Sequence, residues 1–398
     1  MRKCPAWIVV SAFLCLSLSA CGTQGDTIKV GTISPNTGAM MVYGQSMTRA
    51  YKMAVEEINA TGGVLGKQLE LVIKDDKMEP TETVNCFNSL VADGVELILG
   101  SVSSGCTAAI TDKANEERVL LLSPASTADS ITSADDYVFR ICYADSFQGA
   151  VAAQYAKESG YNRVGVLYCA ADTYSKGLYD AFARACLALD IDIAAARSVA
   201  DITTSQDYTN QWADLAATGV EYVFAPFYYY TVGPYLVPQA RQVGYSGVIM
   251  GGDGFDGANA LQYQTGDLAA YNGVMFVNHY YEGDSSPETQ MFVTQYEQRY
   301  GFIPDAFTAL AYDAVYVLAD AISRAGTADA EAVRDALSAP NHQYKCITGD
   351  FTFDSTGTPR KGAVIVECGH NPYAQSGQNQ VETRLRTRVI LQTDNQSR

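Results

Sequence analysis

Residues 100–107, GSVSSGCT, follow the apolar run VELIL and precede an amphipathic stretch. A strand, a glycine, four residues, a second glycine and Thr107 reproduce the spacing of a phosphate-binding loop at every position but one. Cys106 stands where that loop carries its lysine. Without the cation the loop has no reach to a polyphosphate. Its glycines and hydroxyls still suit a single anion at a helix start, where free N–H groups gather. Ser104 in this loop and Thr127 in SPAST, at the next strand end, are placed to hold one carboxylate. Asp253 in GGDGFDG offers an acceptor to an ammonium. Charge-assisted hydrogen bonds are worth about 1.5–3 kcal/mol each, so both ends of a zwitterion can be fixed. Tyr43, Tyr174, Tyr229 and Phe307 supply aromatic walls, and aromatic faces also favour a cation.

Each of these residues also has a purely structural reading. Ser104 can be a helix N-cap, Thr127 a turn residue and Asp253 an Asx turn. Asp256 reads as the cap of a helix over GANALQ, and Tyr228, Tyr229 and Tyr230 as a core edge. What favours a site is that every member falls at the carboxyl end of an expected strand, where open parallel sheets bind ligands. Enzyme readings are poorer. There is no G-x-S-x-G elbow and no H-E-x-x-H. The three histidines, His279, His342 and His370, are scattered and no C-x-x-C occurs, so no metal or other cofactor is expected.

The elements that must position these groups alternate short β-branched runs with longer amphipathic ones. TIKVGTI, LELVI, VELILG and RVLLLS read as strands, with helices between them. In SMTRAYKMAVEEINA the apolar residues Met47, Ala50, Ala54, Val55 and Ile58 share one face. This βαβ rhythm predicts an α/β fold with a parallel sheet covered by helices on both faces. It restarts after YVFRICYADS, with strands RVGVLY, DIAAARSV, VEYVFAPF and GVIMGG, which suggests two lobes. The helices SPETQMFVTQYEQRY and DAFTALAYDAVYVLADAISRA, a short helix, a hairpin and a last strand, TRVILQT, then join one or both lobes. Residues 370–382 are polar and read as a surface loop.

The chain opens with positive charge in MRK, an apolar run, and LSAC ending at Cys21. The run is too short for a span and polar sequence follows at once, so it predicts a secretory signal over residues 1–20. The LSAC ending resembles a bacterial lipobox, with Cys21 lipidated and residues 21–26 as a tether. No other apolar run reaches the length of a span by this reading. The expected location is therefore outside the cytoplasm, lipid-anchored to the bacterial cell membrane. The net charge of −17, or −19 once Arg2 and Lys3 leave with the signal, argues against nucleic acid as partner. Export permits disulfides. Seven cysteines remain in the body, so at least one thiol is free or pairs between chains. Cys346 and Cys368 stand symmetrically about Gly357 and are the candidate disulfide, facing each other across the expected hairpin.

With these residues in view, the chain resembles the type I periplasmic binding proteins of ABC transporters, in their leucine/isoleucine/valine-binding branch. The resemblance runs from about Thr27 to Gly369. It is carried by VGTISPNTGAMMVYGQ, GSVSSGCTAAI, LLSPAST, FRICYADSFQG, PQARQVGYSGVIMGGDG, AYDAVYVLADAI and ITGDFTFDSTG. It implies two lobes, each a mainly parallel sheet flanked by helices, joined by three crossovers. The expected division is 27–145 with 279–350, and 146–278 with 351–398. It implies that Ser104 and Thr127 hold a ligand carboxylate and that the Ala125 backbone touches the ligand. Asp253 takes the ammonium where relatives commonly carry Glu. Tyr43, Tyr174, Tyr229 and Phe307 line the cleft. The family's disulfide is not inherited, since Met78 and Ser103 hold its positions. The implied function is a monomeric, non-enzymatic solute-binding lipoprotein that delivers an α-amino acid, plausibly aliphatic, to a permease. The alternatives are the same fold binding an amide, aromatic acid or nucleoside, and a sensory ligand-binding module.

Overall fold

The computed structural model describes residues 27–257, 268–370 and 381–389. The signal segment, Cys21 and the tether lie outside the described residues, as do most of GANALQ, residues 371–380 of the polar loop and the end of TRVILQT.

Five apolar runs form the first sheet. They are β1 (Ile28–Ser34), β2 (Leu69–Asp75), β3 (Leu97–Leu99), β4 (Leu120–Ser123) and β5 (Val138–Arg140). All pair in parallel, in the order β2-β1-β3-β4-β5. Strands covered on both faces need no polar alternation, and β3 and β4 are buried throughout. Helices α1 (Met41–Ala60), α2 (Pro80–Ala92) and α3 (Ser104–Glu117) make the connections. Helix α1 starts where Gly44 lets the backbone of Pro35 lie against it; a Cβ there would stand 2.1 Å from the Pro35 carbonyl oxygen.

The chain then crosses once, through Ile141–Ala144, into α4 (Asp145–Glu158) and a second sheet. That sheet is built from β6 (Arg163–Cys169), β7 (Asp192–Val199), β8 (Tyr222–Phe224), β9 (Val248–Gly251) and β10 (Val274–Asn278). Its helices are α5 (Thr173–Ala188), α6 (Thr209–Ala217), α7 (Tyr229–Thr231) and α8 (Val237–Gln242). A π turn, Val232–Leu236, separates α7 from α8. Pro234 and Pro238 lack the N–H that a regular α-helix would use there.

From β10 the chain crosses back. Helices α9 (Pro287–Tyr300), α10 (Ala306–Ala325) and α11 (Ala330–Leu337) follow. They pack on the first lobe: the Tyr296 and Tyr300 hydroxyls donate to the carbonyls of Ser46 and Arg49 in α1. Helix α10 has the length and apolarity of a membrane span, against the expectation that no body segment does. It is a core helix, with Leu310, Ala314, Leu318 and Ile322 buried.

The hairpin β11 (Thr352–Phe353) and β12 (Pro359–Arg360) also sits on the first lobe. Phe353 packs edge-on against Phe139, and the Arg140 N–H donates to the Gly357 carbonyl. The third crossing, expected near residue 351, therefore comes after this hairpin. Strands β13 (Ala363–His370) and β14 (Val381–Val389) complete the second sheet, in the order β14-β13-β10-β9-β8-β6-β7. Only β13 and β14 run antiparallel to their neighbours. This separation corrects the cysteine pairing. Cys368 goes with β13 to the second sheet while Cys346 stays beside α10, and both are free thiols. All seven body cysteines are free.

Candidate functional site

Both sheets contain a point where the strand order reverses, between β1 and β3 in the first and between β6 and β8 in the second. The loops at these carboxyl ends meet across the cleft. They enclose a cavity of 10 Å³, room for about one water, so the lobes are shut on each other. Of the eight expected residues, Ser104, Ala125, Tyr174, Asp253 and Phe307 line this cavity. Tyr43, Thr127 and Tyr229 do not. A larger cavity of 820 Å³ lies by the second and third crossovers, between Tyr312 and Ile347, and contains none of the eight.

Ser104 is the first residue of α3, and its cap reading fails because Ser103 is the N-cap, accepting from the Cys106 N–H. Ser104 Oγ instead accepts from the Ala128 N–H at 3.2 Å, which ties α3 to the segment after β4. That segment is held from behind by buried Arg140. Its Nη1 donates to the carbonyls of Thr127 (2.9 Å) and Ala128 (2.8 Å), and Nε and Nη2 donate to Thr358 Oγ1 and Thr132 Oγ1. Among the described residues, Thr127 Oγ1 is buried without a hydrogen-bond partner, as are both carboxyl oxygens of Asp145. Burial raises the Asp145 carboxyl well above its usual range; the Thr127 hydroxyl lies near enough to oppose this without closing a hydrogen bond.

Across the cavity, Asp253 follows β9 and is 1% exposed. Its Oδ1 accepts from the Tyr174 hydroxyl (2.9 Å) and from Gln148 Nε2 (3.1 Å), and its Oδ2 lies 3.1 Å from His279 Nε2. Its own N–H donates to Gln148 Oε1 at 2.6 Å, and the Gly254 N–H to the Tyr174 oxygen at 2.9 Å. The Asx-turn reading is thus replaced by a buried carboxylate in a network of side chains. A hydroxyl and a helix start stand on one sheet, and this carboxylate on the other.

A family model described as periplasmic binding protein matches residues 27–374. The chain belongs to the periplasmic binding protein family. The leucine-, isoleucine-, valine-, threonine- and alanine-binding protein of Pseudomonas aeruginosa is 30% identical over 353 residues, covering 88% of this chain and 91% of that one. The leucine-binding protein LivK of Thermotoga maritima superposes with a TM-score of 0.81 at 30% identity, over 92% of this chain and 99% of that one. LivJ of Streptococcus pneumoniae, a branched-chain amino acid transporter substrate-binding protein solved with isoleucine, gives 0.80 at 29% identity, over 90% and 99%. The fold is that of a two-lobed periplasmic binding protein, and family membership implies a place outside the cytoplasm.

In this periplasmic binding protein, two of the expected residues that miss the cavity, Tyr43 and Tyr229, make contacts between the lobes. The Tyr43 hydroxyl, from α1, lies 2.6 Å from the Gly254 carbonyl oxygen and 2.9 Å from that of Asp256, both on the second lobe. The Tyr229 hydroxyl donates in the other direction, to the Ala39 carbonyl at 3.0 Å. The Tyr43 ring packs on Phe307 (4.1 Å between centroids) and edge-on to Tyr229 (4.7 Å). Residues 253–257 thus form the tongue that lobe 1 grips.

Sequence reasoning missed several cavity residues, among them Met40, Val102, Ser103 and Tyr228. Tyr228 was signalled by the triple tyrosine, but only the turn after β8 decides which ring points inward. His279 and Gln148 were missed because neither follows a strand with an obvious ligand loop.

Asp256 is expected to cap a helix over GANALQ, most of which lies outside the described residues. Its Oδ2 accepts from Asn278 Nδ2 and from the Ala306 N–H, both at 2.8 Å, so it reaches across to the start of α10. Asp305 is the N-cap there, accepting from the Thr308 N–H at 2.7 Å. Burial, and then the Asp256 carboxylate, raises the Asp305 carboxyl to about 7. A folded-state carboxyl raised in this way keeps a proton that the unfolded chain gives up near pH 4, so the stability it contributes is lost as pH rises from about 4 to about 7. Melting temperatures of the wild type should therefore fall between about pH 4 and pH 7. Asp305→Asn, which still caps, should flatten that slope; an unchanged slope would remove Asp305 as its source.

Proposed function

We propose that this protein captures an aliphatic α-amino acid between its lobes, outside the cytoplasm, and presents it to the permease of an ABC importer. The observation that carries the reading is the opposition of Ser104, at the start of α3, to the buried carboxylate of Asp253 across one cavity. Groups complementary to a carboxylate and to an ammonium stand on different lobes, so one zwitterion stabilises the closed form. The Pseudomonas relative's name covers leucine, isoleucine and valine, and the Streptococcus relative was solved with isoleucine, which supports the aliphatic choice. An uncompensated Asp253 is a poor neighbour for an aromatic acid that lacks an amine.

In this reading residues 1–20 direct export, Cys21 carries the lipid and 21–26 form the tether. Residues 27–145 with 279 to about 360 move as one lobe. Residues 146–278 with the chain from β13 onward move as the other. The protein works as a monomer that binds without turnover. The 10 Å³ cavity has no room for an amino acid, so admission requires the Tyr43 and Tyr229 contacts to open first. Calorimetric titration of the purified protein with the common amino acids should find at least one aliphatic ligand at roughly micromolar or tighter. If none binds better than roughly millimolar, the reading is wrong.

A further inference from the structure

His279 is not among the residues that the strand-end pattern points to, yet it touches the centre of the cleft. It directly follows β10 and opens the second crossover. Its ring is completely buried, with Nε2 3.1 Å from Asp253 Oδ2. The ring stacks on Tyr143 at 3.7 Å between centroids, and Tyr143 lies in the first crossover. One imidazole is therefore clamped by both crossovers and pinned to the acid that faces the ligand. Among the described residues Nδ1 has no hydrogen-bond partner. A neutral ring has one N–H, and the acceptor it meets among those residues is at Nε2, so the Nε2–H tautomer is assigned.

The charge state decides what Asp253 offers. Burial pushes the imidazole down to about 4 even though the Asp253 bond favours its charged form, and Lys361 reinforces the drop. The other two donors to Asp253, Tyr174 and Gln148, are neutral as well. A lysine or arginine in place of His279 would pair with the carboxylate and cancel its charge. Three neutral donors fix both oxygens without bringing a positive charge to them.

We propose that His279 is a positioning residue that sets the cleft's preference for an amine-bearing ligand, by orienting Asp253 as a neutral donor without neutralising it. This rests on Asp253 receiving the ammonium. It adds that the selectivity depends on a hinge residue that touches no ligand.

The test measures the affinities of L-leucine and of 4-methylpentanoate, the same skeleton without the amine, for the wild type and four variants. His279→Phe keeps the stacking on Tyr143 but loses the donor. It should weaken leucine by about tenfold or more and 4-methylpentanoate by less than about threefold, because only the ammonium draws on Asp253. His279→Gln, whose amide nitrogen falls near the Nε2 position, should restore most of the leucine affinity. His279→Asn, whose amide reaches only the Nδ1 position, should not. If His279→Phe does not fold, the contrast between Gln and Asn still decides. Equal losses for both ligands in His279→Phe, or equal behaviour of Gln and Asn, would overturn the proposal. Asp253→Ala separates the two levels. If it discriminates the ligands and the His279 variants do not, only the role of His279 is wrong; if it does not discriminate either, the amino-acid reading itself fails.

Discussion

Asp253→Ala should weaken L-leucine binding by about a hundredfold or more, while 4-methylpentanoate loses less than about fivefold. Truncating one member of a buried, hydrogen-bonded charge pair costs about 2–5 kcal/mol, and only the amine forms that pair. The variant leaves the Tyr174 hydroxyl, Gln148 Nε2 and His279 Nε2 without their acceptor in a site that is closed to water. Part of that cost falls on the protein before any ligand arrives, so thermal stability should drop as well. The ratio of the two affinities cancels this shared cost, which makes it the decisive number. Calorimetry on both ligands checks it, and a ratio equal to that of the wild type would take Asp253 out of the ammonium role.

Arg140→Ala should lower the unfolding free energy by about 3–5 kcal/mol, the loss of two or more charge-assisted hydrogen bonds in the interior. The guanidinium is 2% exposed and ties three parts of the first lobe together: the carbonyls of residues 127 and 128, Thr132, and Thr358 in the β11–β12 hairpin. Without it those carbonyls lose their donor. The Ala125–Ala128 segment, whose Ala125 lines the cavity, also loses its support. Ligand affinity should therefore fall together with stability, although Arg140 lies behind the cavity wall. Arg140→Lys should recover only part, because an ammonium cannot reproduce the fork that serves both sides at once. Denaturant unfolding decides it. A change under about 1 kcal/mol would mean that the neighbouring loops hold themselves.

The two effects have different sources in the chain. The expected effect of Asp253 comes from the ammonium role proposed for it, which the GGDG loop at a strand end signals in the sequence. Arg140 acts through geometry. In the sequence it is one residue of a short strand, VFR, with nothing to mark it as a support. Its partners come from positions 126–132 and from Thr358, more than two hundred residues away.

The sequence by itself determined the α/β class and most of the strand and helix order, because these rest on local periodicity, but β10 was not among the expected strands. Ser104, Tyr174 and Asp253 were legible from the strand-end rule, Phe307 as an aromatic wall and Ala125 only from the family resemblance, and all five line the cavity. Tertiary structure decided what local pattern does not encode. It turned Tyr43 and Tyr229 outward from the cavity into contacts between the lobes. It carried Asp256 Oδ2 to the start of α10. It also separated Cys346 from Cys368, because β13 pairs with β10 rather than extending the hairpin. In each case the deciding partner comes from a distant part of the chain, brought near only by the packing of the two lobes. His279 is the clearest instance: a lone histidine after a strand gains its meaning from Asp253 and Tyr143, which the closing of the fold places against it.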